Sequence, residues 1–316
     1  MVTYPADGST GLLLPGQGSQ FVGMGKGLAG AYPSAAAIFQ EADRILGVAL
    51  SQLCWEGPEE ELVQTKHAQP AILAHSVAVA RALGEGVEGA GVAAGHSLGE
   101  FTAHVLAGTL SFSDALRAVR VRGELMHEAG RERPVTMAAL LGLGDEEAEA
   151  VCREASEGVE VCVPANFNAP GQVVVSGDVA AVERAEALAR QAGARKAMRL
   201  NVSGAFHSPL MEPAEDGLRD FLKDLHFSDP VTPVISNVTA RPVASGEDAR
   251  ELLVRQLTSP VRWAESVATM LEEGATAFLE LGPGKVLCGL NRRNAREASC
   301  RAVGEETDLQ ELLGGE

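Results

Sequence analysis

The chain has 316 residues, 46% hydrophobic and 22% charged, the balance of a folded globular protein and not of a disordered one. At roughly 150 residues per domain this length suggests two lobes. Aromatic residues make up only 4%, so Leu, Val and Ala have to fill the core. A formal net charge of -17 repels phosphate backbones and anionic lipid surfaces, which sets nucleic acid aside as a partner.

In chain order, residues 1–10 read as a loose tail, with neither the basic nor the apolar segment of a secretory leader. No later stretch holds about 18 uninterrupted apolar residues, so no membrane span is expected. Leu12-Leu13-Leu14 stop at Pro15 and open a glycine-rich loop at 16–20, the pattern of a buried strand feeding a turn. Helical stretches follow at 34–47 and 70–83. The run Val92-Ala93-Ala94 then enters Gly95-His96-Ser97-Leu98-Gly99 and a helix ending near Gly108, with a further helix at about 113–129. This alternation predicts an α/β fold with a mainly parallel sheet.

From 134 to 203 the rhythm becomes strand (135–143), helix (145–156), strand (159–163), strand (172–176), helix (179–192), strand (194–202), the ferredoxin-like βαββαβ unit. The expected architecture is therefore a large α/β lobe of residues 11–133 and 204–316 with an inserted small subdomain of 134–203. The large lobe resumes with strands at 233–238 and 277–281, the second ending at Gly282-Pro283-Gly284 before a helix. The cysteines, Cys54, Cys152, Cys162, Cys288 and Cys300, are odd in number and form no C-x-x-C pair. That argues against a disulfide framework or a zinc site and fits a reducing cytoplasm.

Gly95, Ser97 and Gly99 between an apolar strand and a helix match a nucleophile elbow, where a strained serine needs neighbours without side chains. The alternative is a glycine turn with a capping serine. In an elbow, the Leu98 amide at the first turn of the helix faces a developing oxyanion. A second donor can come from the 16–20 loop, which leaves the same edge of the sheet unless it is a purely structural turn. Of seven histidines, His207 is best placed as a base, in a short Ser-Gly-Ala-Phe-His-Ser-Pro loop after a strand. His75, His104 and His127 fall in helical runs, and His96 is expected to aim away from Ser97 because alternate strand positions face opposite sides. Arg122 has Ala118, Val119, Leu125 and Met126 as its helical neighbours, all apolar. A guanidinium there needs an anion, either an internal carboxylate or one brought by a ligand. Gly25, Gly27 and Gly30 lie too far past the strand for a dinucleotide site, and Gly284-Lys285 lacks the P-loop frame. Asn166 and Asn168, beside Pro170-Gly171, read as turn residues.

Taken together, Pro15-Gly16-Gln17-Gly18-Ser19-Gln20, Gly95-His96-Ser97-Leu98-Gly99-Glu100, Arg122-Gly123-Glu124-Leu125-Met126, Ala165-Asn166-Phe167-Asn168, Gly204-Ala205-Phe206-His207-Ser208, Gln256-Leu257 with Pro260-Val261, and Gly282-Pro283-Gly284-Lys285 resemble malonyl-CoA:acyl carrier protein transacylases. The motifs run in order from about residue 11 to 295. The resemblance implies a Ser97 acyl-enzyme with His207 as base, an oxyanion hole from the amides of Gln17 and Leu98, and a Gln256 backbone carbonyl orienting His207. It further implies that Arg122 pairs with the malonyl carboxylate, that Phe206 disfavours an α-methyl branch, and that Met126 and Asn166 belong to the substrate side. The implied partners are malonyl-CoA and an acyl carrier protein, in fatty-acid or polyketide synthesis. Neither metal nor cofactor is implied beyond the coenzyme A thioester, and a cytoplasmic monomer is expected. Because the carrier and coenzyme A are themselves acidic, docking needs a basic patch, for which Arg292, Arg293 and Arg296, or Arg195, Lys196 and Arg199, are the candidates. A serine thioesterase or acyl hydrolase on the same elbow, and a non-catalytic docking subunit of a synthase, are the competing readings.

Overall fold

The computed structural model describes residues 8–84, 87, 89–202 and 204–314. Residues 1–7 of the expected tail and Ser203, the last residue of the expected insert, lie outside them. In order the elements are β1 (Thr10–Leu14), α1 (Lys26–Ala31), α2 (Pro33–Leu46), α3 (Leu50–Glu56), α4 (Glu59–Leu62), α5 (Thr65–Leu83), β2 (Val92–Gly95), α6 (Gly99–Leu106) and α7 (Phe112–Ala129). Then come β3 (Val135–Leu141), α8 (Asp145–Ala155), β4 (Cys162–Ala169), β5 (Gln172–Asp178), α9 (Val179–Gln191) and β6 (Lys196–Arg199). The chain closes with α10 (Glu212–Leu222), β7 (Val234–Ile235), α11 (Gly246–Arg255), α12 (Trp263–Glu272), β8 (Ala277–Leu281), α13 (Val286–Asn294), β9 (Ser299–Val303) and α14 (Glu306–Gly314).

Two sheets form among the described residues. One has the order β7-β2-β1-β8-β9 with every pairing parallel; the other, β4-β5-β3-β6, is antiparallel and follows the ferredoxin-like connection. The apolar runs of β1, β2 and β8 are buried on both faces, as a parallel sheet covered by helices requires. Side chains alternate between the two faces. Leu12, Leu14, Ala93 and Leu279 join the core beneath α5, α6 and α7, while Leu13, Val92, Ala94 and Phe278 pack with Trp263, Val267 and Leu287 from α12 and α13. Each such leucine contributes about 1.5–3 kcal/mol on burial, so this layer anchors the loops at its edge.

Those loops leave the C-terminal ends of the parallel strands on one side of the sheet, which is where ligands gather in open α/β folds. A very close backbone contact is there. A Cβ on Gly95 would stand 1.8 Å from the backbone carbon of Gly99, and one on Gly99 would stand 2.1 Å from the Leu14 carbonyl oxygen. Only glycine lets β2 turn into α6 at that spacing, and the turn forces Ser97 to φ 51.

Several local expectations are corrected. The helix expected from 70 begins at Thr65 and passes through Pro70. Proline lacks the amide that would bond the Lys66 carbonyl, and Arg120 of α7 supplies a donor to it instead at 3.3 Å. Asn166 and Asn168 are strand residues and not turn residues. β4 runs on to Ala169 because register shifts at 164/166 and 167/169 let it bend, and because Phe167 and Ala165 bond the backbone of Val261 in the large lobe. The cysteine pattern argued against disulfides, yet Cys288 and Cys300 are joined. α13 and β9 lie side by side through a short connection, with Cα atoms 5.4 Å apart, an adjacency that spacing in the sequence does not reveal. Cys54, Cys152 and Cys162 are free and buried.

Candidate active site

Ser97 Oγ lies 2.8 Å from His207 Nε2, and His207 Nδ1 lies 2.8 Å from the backbone carbonyl of Gln256. A carbonyl can only accept, so Nδ1 carries the proton and Nε2 turns its lone pair toward the serine hydroxyl. Burial, followed by the charge of Arg122, pushes the imidazole down to about 3, so it is neutral and ready to accept a proton. His207 itself sits at φ 57, a second strained residue facing the first.

The elbow is braced by Asn237, from the turn after β7. Its Oδ1 accepts from the Ser97 amide at 2.7 Å and its Nδ2 donates to the Gly95 carbonyl at 2.7 Å. With the Ser97 amide so engaged, the next amide in the turn, that of Leu98, is left open. Among the described residues neither the Leu98 nor the Gln17 amide donates to a protein group, and both residues line the cleft that holds Ser97.

Arg122 is 1% exposed and reaches the same hydroxyl, with Nη2 3.0 Å from Ser97 Oγ and 2.8 Å from Gln256 Oε1, while Nη1 is 2.8 Å from Gln69 Oε1. All three acceptors are neutral. Among the described residues Arg122 makes no ion pair within 4.0 Å, and burial pulls its pKa down to about 10, leaving it fully charged at neutral pH. The partial compensation comes from Glu100, a wholly buried carboxyl bonded to Gln256 Nε2 at 2.6 Å.

The cleft beside these groups has a volume near 510 Å³ and is lined by Phe206, Met126 and His127, by Met137 and Asn166 of the small sheet, and by Leu200 just after β6. Gln17, Leu98, Ser97, Arg122, His207, Phe206, Met126 and Asn166 thus all border one space, while Gln256 lies buried behind Arg122. His96, expected to aim away, lines the same cleft and bonds Asn168 at 2.8 Å, because the left-handed turn at Ser97 ends the strand alternation. Residues that sequence reasoning passed over are Gln69, Asn237 and the carboxyl of Glu100. Asn237 carried a usable signal, since it follows a predicted parallel strand on the edge where loops converge.

The Acyl transferase domain model matches residues 12–312. The chain belongs to the acyl transferase family. It is 45% identical over 298 residues to the malonyl CoA-acyl carrier protein transacylase of Bacillus subtilis (strain 168), covering 94% of each chain. Among solved structures it resembles an acyl carrier protein S-malonyltransferase from Vibrio cholerae, at 43% identity with a TM-score of 0.93, covering 96% of this chain and 99% of that one. It also resembles, at 43% identity and a TM-score of 0.93, a chain of a type II PKS acyl-carrier protein complex with its malonyl-transacylase, covering 98% and 100%. Among the described residues of this acyl transferase no helix is long and apolar enough to cross a membrane, and no group of three or more His, Cys, Asp or Glu is placed to hold a metal.

Proposed function

We propose that this acyltransferase moves a malonyl group from coenzyme A to the phosphopantetheine thiol of an acyl carrier protein, through an ester on Ser97, in the cytoplasm. The observation that carries this reading is a buried guanidinium that, among the described residues, makes no direct ion pair with a carboxylate and lies 3.0 Å from an esterifiable hydroxyl. A charge left so must await an anion, and malonyl brings a carboxylate next to a thioester.

In the first half, His207 Nε2 takes the Ser97 proton as Oγ attacks the thioester carbonyl. The amides of Gln17 and Leu98 hold the oxyanion. The C–S bond breaks, and His207 returns the proton to the departing thiolate. In the second half the carrier thiol gives its proton to His207 and attacks the ester, and the serine leaves with that proton. The chemistry draws on no group beyond the thioester substrate. Phe206, at the cleft wall, opposes an α-methyl branch by bulk.

For the carrier, the cluster on and flanking α13 is the better dock of the two candidates. Lys285, Arg292 and Arg296 border one cleft, and among the described residues their side chains make no ion pair. Arg199, in the other cluster, is already held by Glu183 and Glu186. Incubation with malonyl-CoA and mass spectrometry of the intact chain tests the core of this reading. One malonyl group on Ser97, removed by carrier-protein thiol, is the expected result. Release of free malonate in place of transfer marks a hydrolase, and no label at all marks a non-catalytic subunit.

A further inference from the structure

Glu100 is the buried charge that the reaction above leaves unused. It lies in the first turn of α6, three residues past Ser97, and is wholly buried. Its Oε2 accepts from Gln256 Nε2 at 2.6 Å and from the Asn237 amide at 3.1 Å. Gln256 then presents Oε1 to Arg122 Nη2 at 2.8 Å. A single amide side chain therefore relays between a buried carboxyl and a buried guanidinium, at a depth where salt screens little.

Few charges surround Glu100. Arg122 of α7 is the cation that acts on it, and His207 beyond Arg122 is neutral. β1, β2 and β7 bring no ionisable side chain, α5 reaches this centre through Gln69, and the end of α11 reaches it through Gln256 and the turn after β7 through Asn237 and Ser236.

We infer that Glu100 is a positioning residue that sets the strength of Arg122 as an anion receptor, and so sets how strongly the site prefers an acyl group bearing a carboxylate over a neutral one. With Glu100 neutral, the guanidinium offers its whole charge to the substrate. With Glu100 ionised, part of that charge is already answered and a second buried anion is repelled. The inference rests on Arg122 receiving the malonyl carboxylate.

Burial raises the Glu100 carboxyl to about 7, against the opposing pull of its hydrogen bonds and of Arg122. As pH rises through that value Glu100 loses its proton, and the preference for malonyl falls; as pH drops, the preference grows. The malonyl carboxyl stays ionised throughout, and the coenzyme A phosphates titrate alike in every acyl-CoA, so they cancel in a ratio.

The experiment is the acylation of Ser97 by malonyl-CoA and by acetyl-CoA, each as kcat/KM, from about pH 5.5 to about pH 8.5, for the wild type and for Glu100→Gln. The expected wild-type ratio of malonyl to acetyl falls by roughly five-fold or more across the range, the scale of coupling between neighbouring sites. In Glu100→Gln the ratio is level with pH. A level wild-type ratio overturns the inference, as does a variant that keeps the wild-type slope. Should Glu100→Gln fail to fold, the wild-type profile alone decides. A wild type that takes up no malonyl at any pH defeats the proposed function instead, so the two failures are distinct.

Discussion

The two sheets meet across one cleft but are built to different rules. The parallel sheet, buried on both faces, leads from β2 into Ser97 at φ 51 and the open amide beside it, and α6 and α7 packed on it carry a buried glutamate and arginine held by neutral amides, while His207, at φ 57, enters on the connection that follows β6. The antiparallel sheet keeps α8 and α9 on one face and turns the other toward the cleft, where it offers Met137 and Asn166 with no strained residue and no charge among them. Strain and unanswered charge cost stability, and a protein carries them where the surrounding packing over-determines the backbone. The doubly covered sheet has that surplus of packing; the small sheet has it on one face. This difference places Ser97 and the buried charges with the doubly covered sheet, and leaves to the small sheet the shaping of the cleft and the connection that carries His207.

Removing the base should show the difference most sharply. His207→Ala is expected to lower the rate of Ser97 acylation by about 10²–10⁴, with little change in KM, as for loss of a general base. The wild-type profile for acetyl-CoA should lack an acid limb near the usual histidine pKa of about 6.5, because His207 is held near 3 and binds a proton only below that. Arg122→Ala removes the positive neighbour and so shifts that limb upward in pH. A wild-type limb near 6.5 breaks the account of a buried, neutral imidazole.

The next effect is selectivity. Arg122→Ala is expected to cost about 1.5–3 kcal/mol of discrimination, some one to two orders of magnitude in the malonyl-to-acetyl ratio, because charge-assisted hydrogen bonds to the carboxylate are lost. Retained malonyl preference in that variant shows that the carboxylate binds elsewhere, and the contrast between the sheets then fails on its central residue.

How much of this was legible in the sequence depended on whether a residue's role is local. The elbow could be read because Gly95 crowds the backbone of Gly99 within one local turn, and the apolar runs of β1 and β8 because a doubly buried strand needs no polar face. The ferredoxin-like order followed from the alternation of short elements. Ser97, His207 and Arg122 were picked from separate stretches and meet within about 3 Å. What stayed hidden belongs to contacts between distant segments. Asn237 acts on Ser97 across 140 positions, Gln256 Nε2 bonds Glu100 across 156, and β9, which brings Cys300 to Cys288, had no clear pattern of its own. Asn168 looked like a turn former because nothing local says that β4 bends toward His96.

The smallest effect lies in docking, and it sets the two regions against each other directly, since each carries one basic cluster. On the large lobe, α13 and the turn after it place Arg292 and Arg296 on a cleft, and α13 also lines, through Val286, Leu287 and Leu290, a second cavity that reaches His96 beside the serine. On the small sheet, Arg195 and Lys196 are exposed near Arg199, but α9 sets Glu183 and Glu186 against that arginine, which weakens its field toward an acidic partner. Exposed charges at a rim act on encounter more than on the bound state, and salt screens them. The double reversal Arg292→Glu with Arg296→Glu is therefore expected to raise the carrier-protein KM by roughly three- to ten-fold, about 1 kcal/mol, with kcat retained and the effect shrinking at high salt. The same reversal at Arg195 and Lys196 should change it by less than about two-fold. Equal shifts from both pairs assign docking to the two regions jointly, and a larger shift from the small-sheet pair moves the dock off α13; steady-state transfer at two ionic strengths separates these outcomes.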